Sequence, residues 1–273
     1  MALQVEDLTL VFGGLVALNG VSLRAQPGEL VAIVGPNGAG KTALLNCING
    51  VYRPRRGRIL LDGRDITDVP VDKIALAGVG RAFQHAELFP HMTVTENLLI
   101  GRHLLMRTGV LAGALYYGSA RREEAKERQA IEKIIDFFEL YRYRDVPAGS
   151  LPYGVQKLVG VARALALEPK LLLLDEPSTG LMREERENFA RFLLRIRHEL
   201  HVRTLWVEHD MQMVTDLADR LVVLSQGEVI AEGEPQQVRS LPQVVEAYLG
   251  VDSDGPPSHA ALTAERAAST NTL

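Results

Sequence analysis

The sequence predicts an α/β fold with a mostly parallel sheet, an antiparallel β region at the N-terminus and an inserted α-helical subdomain. Short apolar runs separated by Gly and Pro fill residues 8–34, which is typical of antiparallel strands. From residue 171 onward, apolar strand patterns alternate with helical ones, and this order indicates βαβ units in a parallel sheet. Between these halves, residues 95–143 carry few strand signals, so we expect a helical insertion there.

The N-terminal part combines strand patterns with a glycine-rich loop. Its predicted elements are strands at 8–12, 21–23, 29–34 and 58–61 and a helix at 41–49. The last strand ends at Asp62 and Gly63, a pair that favours a tight turn. We therefore expect an antiparallel region that leads into a central strand just before the loop.

The middle of the chain predicts an amphipathic helix at residues 121–140. Its apolar residues recur at spacings of three and four, the pattern of a helix with one buried face. These residues are Ile131, Ile134, Ile135 and Phe138. We accordingly place a helical subdomain at 95–159, inserted between core segments 1–94 and 160–250. The short apolar stretch 110–117 lies within this subdomain, and we expect it to serve either the packing of the subdomain or a contact with a partner protein or a membrane surface.

The C-terminal half returns to the α/β pattern. Four consecutive leucines at 171–174 predict a parallel strand that is buried on both faces. The elements expected after it are helices at 184–200 and 211–218 and strands at 204–207 and 220–224. Residues 251–273 contain little large apolar surface, so we expect a disordered tail.

Composition excludes several classes of protein. The 273 residues are 47% hydrophobic and 23% charged, with a formal net charge of −4, which gives no indication of general nucleic-acid binding. The apolar runs are far shorter than the roughly 20 residues of a membrane-spanning helix, and the first residues lack the pattern of a signal peptide. We therefore expect a cytoplasmic protein. Its single cysteine, Cys47, allows no internal disulfide and is expected to be buried.

A phosphate-binding loop follows the third predicted strand. The pattern G-x-x-x-x-G-K-[ST] is matched by Gly35, Pro36, Asn37, Gly38, Ala39, Gly40, Lys41 and Thr42. Glycines let main-chain N–H groups turn inward towards phosphate oxygens at the N-terminus of a helix. We expect Lys41 to reach the β- and γ-phosphates and the Thr42 hydroxyl to bind Mg²⁺. The sequence thus predicts a P-loop NTPase core with a nucleoside triphosphate and Mg²⁺ as cofactors.

Two carboxylates follow the leucine strand. Asp175 and Glu176 stand at its carboxyl end, where α/β sheets bind their ligands. We expect Asp175 to hold Mg²⁺ and Glu176 to act as general base towards the attacking water.

Together with these two motifs, three further residues resemble the ATPase subunits of ABC transporters. Gln84, in the segment RAFQHAELFP, matches the glutamine that senses Mg²⁺ and the γ-phosphate in that family. His209, in WVEHD, matches the histidine that contacts the γ-phosphate and the attacking water. Phe12, before two glycines, matches the aromatic residue that stacks on adenine. The resemblance extends over about residues 3–250 and implies ATP as the nucleotide.

A further family motif, a signature loop that serves the nucleotide of a second subunit, is altered. The family pattern is Leu-Ser-Gly-Gly-Gln, and this chain has Leu151, Pro152, Tyr153, Gly154, Val155 and Gln156. Pro152 cannot donate the hydrogen bond that the family's serine makes. Met182 likewise replaces the acid or amide that is usual after the acidic pair. The resemblance therefore implies weaker contact with the second subunit's ATP, at one site of a heterodimer or at both sites of a homodimer.

Within the family, the chain is most similar to ATPases of importers for branched-chain amino acids and related hydrophobic amino acids or amides. The segments that carry this similarity are FGGLVAL, GRAFQHAELFPHMTVTENLL and EHDMQMVTDLADRLVVLSQGEVIAEGEPQQV. The implied partners are two transmembrane permease subunits, a second ATPase subunit and, indirectly, a substrate-binding protein, at the cytoplasmic face of the plasma membrane. Other cargoes such as sugars or lipids, a soluble ABC ATPase without a transport role, and an ATP-holding module without turnover remain alternatives.

Overall fold

The computed structural model describes residues 2–82, 87–105 and 119–252. Gln84, the apolar stretch 110–117 and residues 253–273 of the expected tail lie outside the described residues.

The described strands form two sheets. The first is antiparallel, in the order β2-β1-β4-β5, with β1 Leu3–Phe12, β2 Leu15–Ala25, β4 Arg56–Leu61 and β5 Arg64–Asp65. The second has the order β10-β9-β3-β8-β7-β6, with β3 Leu30–Val34, β6 Val79–Ala82, β7 Leu171–Asp175, β8 Arg203–Val207, β9 Arg220–Ser225 and β10 Glu228–Gly233. Its neighbouring strands run parallel except that β10 is antiparallel to β9. This arrangement confirms the predicted fold class.

Nine α-helices are described in these parts of the chain. They are Lys41–Ile48, Val71–Leu76, Val94–Arg102, Ser119–Phe137, Tyr153–Leu165, Arg183–Leu200, Met211–Leu217, Pro235–Val238 and Pro242–Asp252. The predicted helix at 121–140 is present and begins and ends a few residues earlier. The predicted helix at 184–200 begins one residue earlier, at Arg183.

Two apolar cores lie against the parallel sheet. The first includes Val5, Leu45 and Ile59 and joins the antiparallel sheet to the helix Lys41–Ile48. The second includes Leu158, Phe192 and Trp206 and joins the sheet to the helices between β6 and β7 and to the helices of the C-terminal half. Strands β3, β7 and β8 are buried along their whole length, as the leucine run predicted for β7. Cys47 is fully buried, also as expected.

A buried ion pair joins three helical segments. The Arg102 guanidinium donates to the carboxylate of Glu127, to the Ala166 carbonyl at 2.8 Å and to Glu168 Oε1 at 2.9 Å. Arg102 and Glu127 are both buried, and a buried charge needs a partner with this geometry. The end of the helix Tyr153–Leu165 is thereby held to the helices Val94–Arg102 and Ser119–Phe137. In the part of the chain that the structure describes, every helix is too short or too polar to cross a membrane.

Candidate functional site

The phosphate loop connects β3 to the helix Lys41–Ile48, as the motif predicts. Its backbone takes positive φ at Gly38 and Gly40, with values of 80° and 101°. A Cβ at Gly40 would lie 2.7 Å from the Ala17 carbonyl oxygen, so this position requires glycine. The loop leads directly into the N-terminus of the helix, where main-chain N–H groups can face a phosphate.

Lys41 lies over the loop that precedes it. Its ammonium donates to the carbonyl oxygens of Gly35 and Pro36 at 2.8 and 3.0 Å. Burial lowers the pKa of Lys41, and the nearby charges of Glu176 and Asp175 act in the opposite direction. The lysine is therefore placed among carboxylates at the point where a polyphosphate would bring further negative charge.

The end of β7 lies directly beside the loop. The Thr42 hydroxyl donates to Asp175 Oδ1 at 3.4 Å, so the two residues expected to bind Mg²⁺ are in contact. A hydroxyl and a carboxylate are hard oxygen ligands, and Mg²⁺ is commonly held by one or two carboxylates together with substrate phosphates. These two residues therefore fit a magnesium ion.

Arg81, which sequence reasoning missed, completes this corner of the site. Its guanidinium contacts Asp175 Oδ2 at 3.0 Å and donates to the side-chain oxygen of Asn46. Arg81 lies in β6, the strand next to β7, so it joins the edge of the sheet to the carboxylate of Asp175. Its position three residues before Gln84 in the segment RAFQ was the signal that could have found it.

Glu176 and His209 face each other across the ends of β7 and β8. The distance between His209 Nε2 and Glu176 Oε1 is 2.5 Å. Glu176 has a φ of 48°, a sparsely populated conformation for a non-glycine residue that is often found at functional sites. Its main-chain N–H donates to the Val207 carbonyl at 3.0 Å. A carboxylate held against an imidazole in this way can accept a proton from a water molecule.

A pocket extends from the phosphate loop to an apolar end. It is lined by Phe12, Leu15, Val16, Ala17, residues 37–43, Glu176 and Gln226. The exposed Phe12 ring packs edge-on against Tyr52 with 5.0 Å between centroids, leaving Phe12 able to stack on a base. Gln226, in the turn between β9 and β10, was not predicted, because a single polar turn residue carries no motif.

The altered signature loop precedes the helix Tyr153–Leu165. Pro152 occupies the N-cap position and makes no side-chain hydrogen bond there. The Gln156 amide donates to the Leu151 carbonyl at 2.9 Å, and Val155 packs against the apolar core. Gly154 is buried against Glu185, and the Tyr153 ring lies against Gly180. As far as the described residues define it, the pocket around the phosphate loop takes none of its lining from 151–156.

The fold and this site together define a class: a P-loop protein that binds a nucleoside triphosphate between its phosphate loop and the acidic end of β7. Comparison with known proteins narrows the class. Residues 18–179 match the family model described as "ABC transporter", and residues 228–254 match "Branched-chain amino acid ATP-binding cassette transporter".

Similar proteins agree with these matches. The chain is 41% identical to the high-affinity branched-chain amino acid transport ATP-binding protein BraF of Pseudomonas aeruginosa, over 91% of this chain and 97% of the relative. It is 39% identical to the protein of the same description, LivG, of Escherichia coli, with the same coverage. The solved ADP conformation of an ATP-binding cassette of an ABC transporter superposes with a TM-score of 0.80 at 34% identity, covering 92% of this chain and 99% of that one. The chain therefore belongs to the ABC transporter ATP-binding family, and it is an ABC-type ATPase.

Proposed function

We propose that this chain hydrolyses ATP to power the import of branched-chain amino acids, or of related hydrophobic amino acids and amides, through separate permease subunits. The hydrolytic part of the proposal is carried by one observation: Thr42, Asp175, Glu176 and His209 meet beside the phosphate loop. The cargo is supported by the match at residues 228–254 and by the relatives named for branched-chain amino acid transport.

The proposed chemistry assigns a role to each group around the pocket. Lys41 and the loop amides hold the phosphates, and Phe12 stacks on adenine. Thr42 and Asp175 would hold Mg²⁺, with Gln84 as a further ligand, and the bound ion would supply positive charge beside the phosphates. Glu176 accepts a proton from the water that attacks the γ-phosphorus, while the bond to the ADP oxygen breaks. His209 orients Glu176 and contacts the γ-phosphate.

A second ATPase subunit would complete the site. Its signature loop would cover this chain's ATP, and Leu151, Tyr153, Gly154, Val155 and Gln156 of this chain would cover the partner's ATP. Because Pro152 offers no hydroxyl, we expect the site covered by this chain to hydrolyse ATP more slowly. Equal hydrolysis rates for Pro152→Ser and wild type would contradict this asymmetry.

The same proposal gives each subdomain a separate role. Segments 1–94 and 160–250 bind and hydrolyse the nucleotide, and the helical subdomain 95–159 faces two permease subunits at the cytoplasmic side of the membrane. A substrate-binding protein delivers the cargo to those permeases, and no nucleic acid takes part.

Hydrolysis is tested on the purified chain with Glu176→Gln. We expect kcat to fall by about 10²–10⁴-fold, while ATP still binds because the phosphate loop is unchanged. The matched control is Glu187→Gln, which removes an exposed carboxylate on the helix Arg183–Leu200 and should leave kcat unchanged. Equal rates in both variants would exclude Glu176 as general base.

The cargo is tested after purifying the chain with its permease subunits from detergent-solubilised membranes. The complex is reconstituted in proteoliposomes with the binding protein, and uptake of labelled leucine is compared with uptake of a sugar. ATP-dependent leucine uptake that is lost in Glu176→Gln supports the proposal. Uptake of the sugar alone would overturn the cargo and leave the ATPase assignment intact.

A further inference from the structure

Tyr248 carries a buried hydroxyl for which the proposed hydrolysis has no role. The residue lies in the helix Pro242–Asp252, and its side chain packs against the apolar core that includes Phe192 and Trp206. Its hydroxyl oxygen is buried, and no described residue makes a hydrogen bond of normal geometry with it. A buried hydroxyl without such a bond is costly, so its position calls for an explanation.

The helix that carries Tyr248 is fixed to the parallel sheet. Val244 is buried in the same core, with 2% of its surface exposed. The Gln243 amide donates to the Ile230 carbonyl of β10 at 2.7 Å. Strand β10 pairs with β9, and β9 pairs with β3, the strand that leads into the phosphate loop. The helix is therefore held at a set position relative to the start of that loop.

The hydroxyl of Tyr248 faces the first residue of the phosphate loop. Burial raises the pKa of this hydroxyl, and the main-chain N–H of Gly35 lowers it. An N–H group lowers the pKa of an oxygen in this way when it points at that oxygen from hydrogen-bonding range. The two groups thus already meet, although their alignment in this structure is loose.

Gly35 in turn determines where the Lys41 ammonium lies. The Gly35 carbonyl accepts a hydrogen bond from the ammonium at 2.8 Å. On another side, a Cβ at Gly35 would lie 2.0 Å from the Leu224 carbonyl oxygen, so the backbone is closely packed there. A displacement of Gly35 would therefore move an acceptor of the lysine that the proposed function directs to the phosphates.

We propose that Tyr248 is a positioning residue for the phosphate loop: its hydroxyl holds the Gly35 N–H, and through Gly35 it sets the place of the Lys41 ammonium. The contact tightens when a polyphosphate fixes the loop, as loosely aligned hydrogen bonds in active sites do. The C-terminal helix thereby affects nucleotide affinity, although among the described residues it contributes nothing to the lining of the pocket. The inference rests on the nucleotide site of the proposed function and adds a residue to it.

The test removes the hydroxyl and keeps the ring, with Tyr248→Phe. Binding of ADP with Mg²⁺ is measured by calorimetry, so that hydrolysis plays no part. We expect the dissociation constant to rise about three- to tenfold, the effect of one neutral hydrogen bond. The melting temperature without nucleotide should not fall, because the variant removes a buried hydroxyl that lacks a normal hydrogen bond.

The matched control is Tyr143→Phe. Tyr143 is another half-buried tyrosine that packs against the same apolar core, and it lies in the helical insertion. This variant should bind ADP as wild type does. An equal loss of affinity in the two variants would overturn the specific role of Tyr248.

A second readout follows the loop itself. In ¹⁵N–¹H spectra, the Gly35 amide proton should move further downfield on addition of ADP and Mg²⁺ in wild type than in Tyr248→Phe, because only wild type can complete the hydrogen bond. Equal shifts or equal dissociation constants would overturn the proposal, and so would a loss of affinity that runs parallel with a lower melting temperature. A wild-type chain that binds no ADP would instead overturn the proposed function, so the two failures are distinguishable.

Discussion

The ion pair between Arg81 and Asp175 gives a stability prediction that can be worked from the structure. The two side chains are 5% and 9% exposed and lie 3.0 Å apart. Replacing Arg81 by Met keeps much of the side-chain volume and removes the charge. Asp175 then remains buried with the Thr42 hydroxyl at 3.4 Å. Breaking a buried ion pair in this way costs about 3–5 kcal/mol, and we expect the free energy of unfolding to fall by that amount.

Urea unfolding followed by circular dichroism at pH 7 measures this loss. The matched control is Arg183→Met, which breaks a pair with Glu187 in which the arginine side chain is 88% exposed. An exposed pair contributes about 0–1 kcal/mol, so the two variants should differ by several kcal/mol. Equal midpoints for the two variants would refute the argument that burial makes the Arg81 contact the stronger one.

Repeating the unfolding experiment with added Mg²⁺ and ATP tests whether Asp175 binds the metal ion. If Asp175 binds the ion, the divalent cation replaces part of the positive charge that Arg81→Met removes. The free energy of unfolding should then rise more in Arg81→Met than in wild type when Mg²⁺ and ATP are added. Chelation of the ion should abolish this extra gain. An identical gain in both proteins would show that Asp175 does not bind the metal.

Three further predictions concern separate features. Phe12→Ala should weaken ATP binding by about tenfold, since stacking on a base contributes roughly 1–3 kcal/mol, whereas Phe12→Tyr should bind normally in a calorimetric titration. Gly35→Ala should lower the melting temperature and the soluble yield, because its Cβ would lie 2.0 Å from the Leu224 carbonyl oxygen; a normal melting curve would contradict this. Burial raises the pKa of Cys47 from 9.0 to about 12, so native protein should resist alkylation at pH 8. Because the unfolded thiol ionises first, stability should also fall between pH 9 and 12, and a Cys47→Ala variant should lack that part of the loss.

The strands and loops that carry regular patterns could be predicted from the sequence. The four consecutive leucines were enough to predict strand β7, and the phosphate-loop motif predicted where β3 ends. The first two strands were predicted too short, at 8–12 and 21–23. Register shifts between Val5 and Leu10 interrupt the alternation of apolar residues, so the pattern fades although the pairing continues. Strand β6 was missed because its four residues include a glycine and an arginine.

In the candidate site, too, some residues could be predicted from sequence motifs and others could not. Lys41, Thr42, Asp175 and Glu176 lie in sequence motifs, and these motifs already predicted that the four residues meet beside the phosphate loop. The places of Arg81 and Gln226 beside the site depend on which strands are neighbours in the sheet, and no local sequence pattern predicts the order β10-β9-β3-β8-β7-β6. Whether Gln84 meets these groups stays a prediction, because it lies outside the described residues.

The single tryptophan of the chain lies at the centre of the sheet. Trp206 is fully buried in β8, where it pairs with Ala32 of β3 and Leu174 of β7. Among the described residues, its indole N–H has no hydrogen-bond partner. The chain therefore carries one intrinsic tryptophan fluorophore, placed between the strand that leads to the phosphate loop and the strand that ends in the acidic pair. Its fluorescence emission should be blue-shifted and shielded from aqueous quenchers. A shift of the emission maximum on adding nucleotide would report a structural change at the strand ends without any added label.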